Sequence, residues 1–261
     1  MLLAANCMPA TPPDAPPGRY PAIVLAGGLG TRLRAVTGTM PKVLAPVCGR
    51  PFIEHVLGLL AARGFERVLL CIGYGGDAII DAVADGSRFG LTIGYSSDGP
   101  QPIGTAAALR RAFAGSAGWF WILNGDTYLD VDYGEIESYH RRRCPDAPLV
   151  VVYKNDNRFW PSNIVLRDET VAIYDKEGRA GPMDHIDAGA AILSAAVFER
   201  YPAVRDLPQL YALLARSSKL SAYVSPNRFF EINTPRSLAE TAGFLGDACP
   251  SVQSRSLGTW R

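Results

Sequence analysis

The sequence predicts an α/β fold, on three observations. A β-branched apolar run, Ala22 to Ala26, passes directly into a glycine-rich loop, the sign of a buried strand that stops at a turn. Phe52 to Arg63 then carries apolar residues at helical spacing, and a second buried run, Arg67 to Ile72, follows it. Strand, helix and strand in that order build a parallel sheet. Further strand-like segments crowd the second half of the chain, so the sheet is expected to be mixed, mostly parallel at first, with antiparallel additions later. A chain of 261 residues can bury a substantial core, and an α/β fold can hold this length in one domain.

Taken in order, residues 1 to 20 read as an extended or disordered leader, because Pro12, Pro13, Pro16 and Pro17 fall in a stretch without periodicity. The start lacks a basic segment and a long apolar core, so a signal peptide is rejected. After the first strand, Gly27, Gly28 and Gly30 let backbone N–H groups approach a ligand, and such a loop forms an anion-binding nest. Arg32 and Lys42 add positive charge close by. The combination suits a triphosphate; an ordinary strand-to-helix turn is the alternative. It is not a P-loop, for the Gly-Lys-Ser/Thr ending is missing. A dinucleotide fingerprint would need a small residue where Leu33 stands.

Gly64 ends the first long helix. Gly73 to Ala78 matches G-x-G-x-x-A, which raises a nicotinamide-dependent oxidoreductase as a rival; a lone match is weak, and a plain turn is expected. Leu91 to Tyr95 reads as a strand and Gly104 to Ala114 as a helix with a small-residue first turn. Trp119 to Leu123 is an apolar strand ending in Asn124-Gly125-Asp126. An acid at the carboxyl end of a central strand lies where open α/β sheets bind ligands, although a turn-forming Asp would look the same. Tyr133 to Arg143 reads as a helix whose last three arginines form a solvated end. Leu149 to Tyr153, Asn163 to Leu166, Val171 to Tyr174 and Ala188 to Leu193 read as strands. Pro208 to Arg216 is a helix, Leu220 to Val224 a strand and Thr234 to Leu245 the last helix. The expected organisation is a leader at 1–20, one domain at 21–245 and a tail at 246–261.

Composition narrows the function. A net charge of +1 creates no field that draws nucleic acid or membrane. The five cysteines contain no C-x-x-C pair, which suits a reducing cytosol and leaves zinc readings weak. No apolar run approaches the length of a membrane span. His55, His140 and His185 lack metal-ligand spacing.

Leu25-Ala26-Gly27-Gly28-Leu29-Gly30-Thr31-Arg32, followed by Pro41-Lys42, resembles the signature of the sugar-1-phosphate nucleotidyltransferases. The likeness continues through Gly49-Arg50-Pro51, Pro102 to Ala106, Asn124-Gly125-Asp126 and Phe230 to Pro235. It runs in the family's order over about residues 20 to 245 and is nearest to the heptose-1-phosphate and mannose-1-phosphate guanylyltransferase branch. The resemblance implies a three-layer α/β sandwich of the nucleotide-diphospho-sugar transferase type. It implies transfer of a nucleoside monophosphate from an NTP, GTP first, to a sugar 1-phosphate in the cytoplasm. UTP, CTP or dTTP in the same chemistry is the nearest alternative, and a catalytically silent sugar-nucleotide sensor is the alternative of another class.

The reaction brings two anions together, so it asks for positioning and charge neutralisation and not for a general base. By the resemblance, Arg32, Lys42 and Lys176 are catalytic. Lys42 serves the triphosphate or the sugar phosphate, and Lys176 grips the sugar phosphate. Leu25, Ala26, Gly27, Gly28, Gly30, Thr31, Gln101, Gly104 and Thr105 bind the nucleotide. Asn124, Asp175, Asp187 and Gly189 bind the sugar. Asp126 and Glu231 hold Mg²⁺; the alternative for Glu231 is a structural pair with a cation such as Arg228. The chain departs from the family's usual residues at Asp175, Asp187, Glu231 and Asn233. Two of these changes lie in the sugar half and leave the sugar open, while the Gln101 amide suits a purine or a pyrimidine edge.

Overall fold

The structure is a computed structural model that describes residues 19–99 and 101–248. The leader before Arg19 and the tail after Ala248 lie outside the described residues. Strand β1 (Ala22–Leu25) opens the chain and is followed by a 3-10 turn at Thr31–Leu33 and a short α1 (Arg34–Thr37). A second 3-10 turn, Lys42–Leu44, precedes a small ribbon of β2 (Pro46–Val47) and β3 (Arg50–Pro51). Then come α2 (Phe52–Ala62), β4 (Arg67–Ile72), α3 (Gly76–Val83), β5 (Thr92–Ser97), α4 (Thr105–Ala112), β6 (Trp119–Asn124), β7 (Thr127–Tyr128) and α5 (Tyr133–Arg143). The second half holds β8 (Leu149–Lys154), β9 (Ile164–Arg167), β10 (Thr170–Tyr174), β11 (His185–Ser194), α6 (Ala195–Arg200), α7 (Leu207–Arg216), β12 (Ser221–Ser225), β13 (Phe230–Glu231) and α8 (Pro235–Ala248).

The main sheet runs β5-β4-β1-β6-β11-β8-β12-β10-β9. Its first four strands are parallel. Strand β11 then enters antiparallel between β6 and β8, β12 lies parallel to β8, and β10 and β9 finish the sheet antiparallel. Alternation along each strand sends side chains to two cores. Val24, Leu70, Trp121 and Val151 join α2, α3 and α5 on one face. Ile23, Leu69, Ile122 and Val150 join α4, α6 and α7 on the other. Helices on both faces of one sheet make the three layers. Each fully buried Leu or Ile contributes about 1.5–3 kcal/mol through apolar area removed from water.

Two ends differ from expectation. Helix α8 continues past Leu245 to Ala248, into the segment expected to be a tail. Arg19 and Tyr20 are tied to the domain: the Tyr20 N–H donates to the Glu137 carboxylate at 3.1 Å, and an Arg19 guanidinium nitrogen lies 3.6 Å from the same carboxylate. Glu137 also accepts from the indole of fully buried Trp121 at 2.8 Å. Among the described residues, no helix is long and apolar enough to cross a membrane.

Candidate active site

The carboxyl ends of β1 and β6 lie side by side, with Leu25 opposite Asn124, and the chain leaves both strands there. The glycine loop that follows β1 has one face against protein and one against open space. A Cβ on Gly27 would stand 3.1 Å from the Gly73 nitrogen, and one on Gly30, at φ +58°, would stand 2.8 Å from the Lys42 Cβ. A Cβ on Gly28 would meet nothing within 4 Å. Gly28 faces a cavity of about 230 Å³. The Gly73 to Ala78 run forms the turn from β4 into α3, and Gly75 leaves no room for a side chain against the Pro41 ring. These second glycines therefore buttress the first loop.

Leu25, Gly28, Thr105, Asn124, Asp126, Lys176, Asp187 and Gly189 line this one cavity. Ala26, Gly27, Gly30 and Thr31 complete the loop behind it. Arg32 is exposed on the 3-10 turn and Gln101 on the approach to α4; neither side chain lines the cavity. Gly104 sits where a Cβ would collide with the Arg205 carbonyl. The first turn of α4 is occupied as well: the N–H of Ala106 donates to the Arg205 carbonyl at 2.8 Å and that of Thr105 to the Asp206 carboxylate at 3.2 Å. In return the Leu207 N–H donates to the Thr105 hydroxyl at 2.8 Å. The starts of α4 and α7 thus cap each other, and the segment expected to hold the base is joined to the wall of the cavity.

The charged centre forms at the two-stranded ribbon of β7 and β13, where Glu231 pairs with Thr127 and the Ile232 N–H donates to the Asp126 carbonyl at 3.1 Å. This register puts Asp126 and Glu231 beside each other. The Lys42 ammonium pairs with the Asp126 carboxylate and donates to the Asn233 side-chain oxygen at 2.7 Å. Burial raises the Asp126 pKa, but the Lys42 charge and hydrogen bonds from Lys42 and Thr127 outweigh it, so the carboxyl stays below its ordinary value. Glu231 goes the other way: burial and then the Asp126 charge push its pKa up, against a hydrogen bond with Asn233 and the charges of Lys42 and Arg32. Arg228 does not take Glu231 as its partner. It donates to Glu240 at 2.9 Å and lies over the Phe159 ring at 3.5 Å. Asp126 and Glu231, two adjacent carboxylates of which one resists ionisation, are the residues here that could hold a hard cation.

On the other side of the cavity, strand β11 is irregular between Asp187 and Ala190. The Asp187 carboxylate accepts from the Tyr174 hydroxyl at 2.7 Å and the Gly189 N–H at 2.8 Å, and lies 3.9 Å from the Lys176 ammonium. Asp175 points into its own loop. Its carboxylate accepts N–H bonds from Glu177, Arg179 and Ala180 at 2.9, 2.7 and 2.8 Å, an arrangement that orders the loop carrying Lys176. Sequence reasoning missed Tyr174, Leu207 and Tyr211, which also line the cavity. Tyr211 reads as an ordinary core position of an amphipathic helix, and nothing in the pattern marks its hydroxyl. Asn233 stood out only as a departure, without a role.

A family model described as nucleotidyl transferase matches residues 21–159. The chain is 31% identical over 242 residues to a mannose-1-phosphate guanylyltransferase of Mycobacterium tuberculosis, covering 90% of this chain and 67% of that protein. It is 27% identical over 221 residues to a D-glycero-alpha-D-manno-heptose 1-phosphate guanylyltransferase of Campylobacter jejuni, covering 82% and 95%. Among solved structures, HddC from Yersinia pseudotuberculosis superposes with a TM-score of 0.72 at 28% identity over 87% of this chain and 99% of that one. A second HddC structure, complexed with GMP-PN, gives a TM-score of 0.71.

Proposed function

The chain belongs to the nucleotidyl transferase family, and on that premise we propose that it transfers guanylate from GTP to a heptose- or mannose-type sugar 1-phosphate. The observation that carries the reading is the single cavity in which the open face of Gly28 meets Asp126, Lys176 and Asp187. A triphosphate suits the glycine side and a sugar phosphate suits the Lys176 side. The guanylyltransferase relatives support GTP and these sugars.

A phosphate oxygen of the sugar 1-phosphate attacks the α-phosphorus of GTP. A new P–O bond forms, the bond to the β-phosphate breaks, and pyrophosphate leaves with the electron pair. The nucleophile is already an anion, so no side chain has to take a proton. Loop N–H groups and Arg32 receive the triphosphate, and Arg32 offers a two-pronged donor for the charge that develops on the leaving group. Lys42 neutralises the phosphate region beside Asp126. Lys176 holds the sugar phosphate, in a loop ordered by Asp175. Asp187, Gly189 and Asn124 receive sugar hydroxyls. Asp126 and Glu231 would hold Mg²⁺, which supplies charge neutralisation at the phosphates. The reading needs no nucleic acid or membrane partner, in keeping with the +1 net charge, and it sets the protein in the cytoplasm, where nucleoside triphosphates are drawn.

The test is a matrix of nucleoside triphosphates against sugar 1-phosphates with Mg²⁺, read by pyrophosphate release. GTP with a heptose or mannose 1-phosphate should give the highest kcat/KM. Preference for UTP, CTP or dTTP would change the base and keep the chemistry. Tight binding of a nucleotide sugar without pyrophosphate release from any pair would overturn catalysis in favour of a sensor.

A further inference from the structure

We infer that Tyr211 is a specificity-determining residue whose phenol hydroxyl hydrogen-bonds a hydroxyl group of the sugar and so sets which sugar 1-phosphates are accepted. The inference rests on the proposed transfer to a sugar 1-phosphate and adds a residue that neither the sequence pattern nor the family signature marks.

Two tyrosines line the cavity side by side, with ring centroids 5.2 Å apart at an interplanar angle of 66°. Their hydroxyls are treated differently. Tyr174 donates to the Asp187 carboxylate at 2.7 Å. Tyr211 is 4% exposed, and among the described residues its hydroxyl makes no hydrogen bond. The Tyr211 hydroxyl is not among the enclosed, unpaired polar atoms of the described residues, and the residue lines the cavity, so a group bound there can take the hydrogen bond that the protein leaves unmade. Burial, and then the charge of Asp187, hold the Tyr211 phenol protonated, so at neutral pH it is a donor. The Asp187 carboxylate has about four acceptor sites, of which Tyr174 and the Gly189 N–H take two. Tyr211 as donor and Asp187 as acceptor therefore stand unspent on one wall. Ile122 and Leu207 line the same cavity with apolar surface, which keeps competing water down. A neutral donor beside an unsaturated acceptor matches an alcohol, which needs one of each. The Lys176 ammonium, 3.9 Å from Asp187, is the group for the phosphate, which leaves Tyr211 and Asp187 to a neutral hydroxyl.

The experiment compares wild type with Tyr211→Phe, which removes one oxygen and keeps the ring against Tyr174. The substrates are the sugar 1-phosphate that wild type turns over best and its monodeoxy analogues. Tyr211→Phe should lower kcat/KM for the parent sugar roughly tenfold, the scale of one neutral hydrogen bond. For one monodeoxy analogue the two enzymes should be equal, because the partner hydroxyl is already gone; such non-additivity marks a direct pair. GTP affinity and thermal midpoint should not change. Equal kcat/KM on the parent sugar, or the same loss on every analogue, overturns the inference and leaves the transfer reading standing. A wild-type protein that turns over no sugar 1-phosphate overturns both.

Discussion

Gly28 and Gly30 stand two positions apart and answer to different neighbours. At Gly28 a methyl group meets open space inside the cavity, so only a ligand would object to it. At Gly30 the backbone is left-handed, and a methyl group would press on Lys42. Gly28→Ala should therefore fold with unchanged or slightly higher stability, since it restricts the unfolded chain, yet lose GTP affinity by about tenfold or more. Gly30→Ala should lose roughly 1–3 kcal/mol of stability from strain alone. Thermal denaturation with a nucleotide titration separates the two, and a Gly28→Ala protein with normal GTP affinity would remove the loop from the nucleotide site. Arg32 makes no ion pair with the described residues and is exposed, so Arg32→Ala should fold normally while turnover drops by about two to three orders of magnitude. Near-normal turnover would rule out its role. At this scale the loop residues were legible because glycine and charge leave a mark on sequence. Tyr211 and Asn233 were not legible. A phenol in an apolar stripe and an amide after a short strand take their meaning from neighbours that arrive from distant parts of the chain.

The short ribbon of β7 and β13 is the element on which the charge arrangement depends. Each strand has two residues, too few for periodicity to reveal, yet their register brings Asp126 and Glu231 together across more than a hundred positions of sequence. The sequence marked both acids, but it gave no sign of the ribbon that joins them. A row of rings braces the ribbon: Phe230 stacks on Phe244 of α8 at 3.9 Å, and Arg228 lies over Phe230 at 4.7 Å and over Phe159 at 3.5 Å. The brace holds Glu231 next to a like charge, and its pKa is raised from the ordinary 4.5 by burial first and by Asp126 second. A carboxyl whose folded pKa lies above its unfolded value weakens the fold wherever it is ionised. Glu231→Gln should thus be as stable as wild type or more stable at pH 8 without metal. The gap should shrink as pH falls through the raised pKa and vanish below about 4.5, where both states are protonated. The same variant should weaken Mg²⁺ binding in calorimetry. Destabilisation of the metal-free protein with an unaltered Mg²⁺ titration would make Glu231 a structural residue.

For the whole molecule, the sequence and the structure agree on which segments are strands and helices more closely than on how they are joined. The parallel first half could be read from strand–helix–strand alternation, since each crossover helix places the next strand beside the last. The position of β11 between β6 and β8, and of β12 beside β8, could not, because alternation tells a strand which face to bury and not which neighbour to choose. This order builds the cavity, for it carries Asp187 and Lys176 to the same place as the glycine loop of β1. It also leaves the second glycine run occupied. A Cβ on Gly73 would press on Gly27, and one on Gly75 on Pro41, so packing within the protein accounts for both glycines without a dinucleotide. A ligand that binds only the folded state raises its midpoint by mass action, and binding by both halves of the fold should stabilise it as one unit. With Mg²⁺ and GTP at a hundred times its Kd, the thermal midpoint should rise by roughly 5–10 °C. NAD or NADP at the same concentration should leave it in place. A saturable rise with either dinucleotide would mean that the Gly73 turn opens to a ligand, and the oxidoreductase alternative would then have to be taken up again.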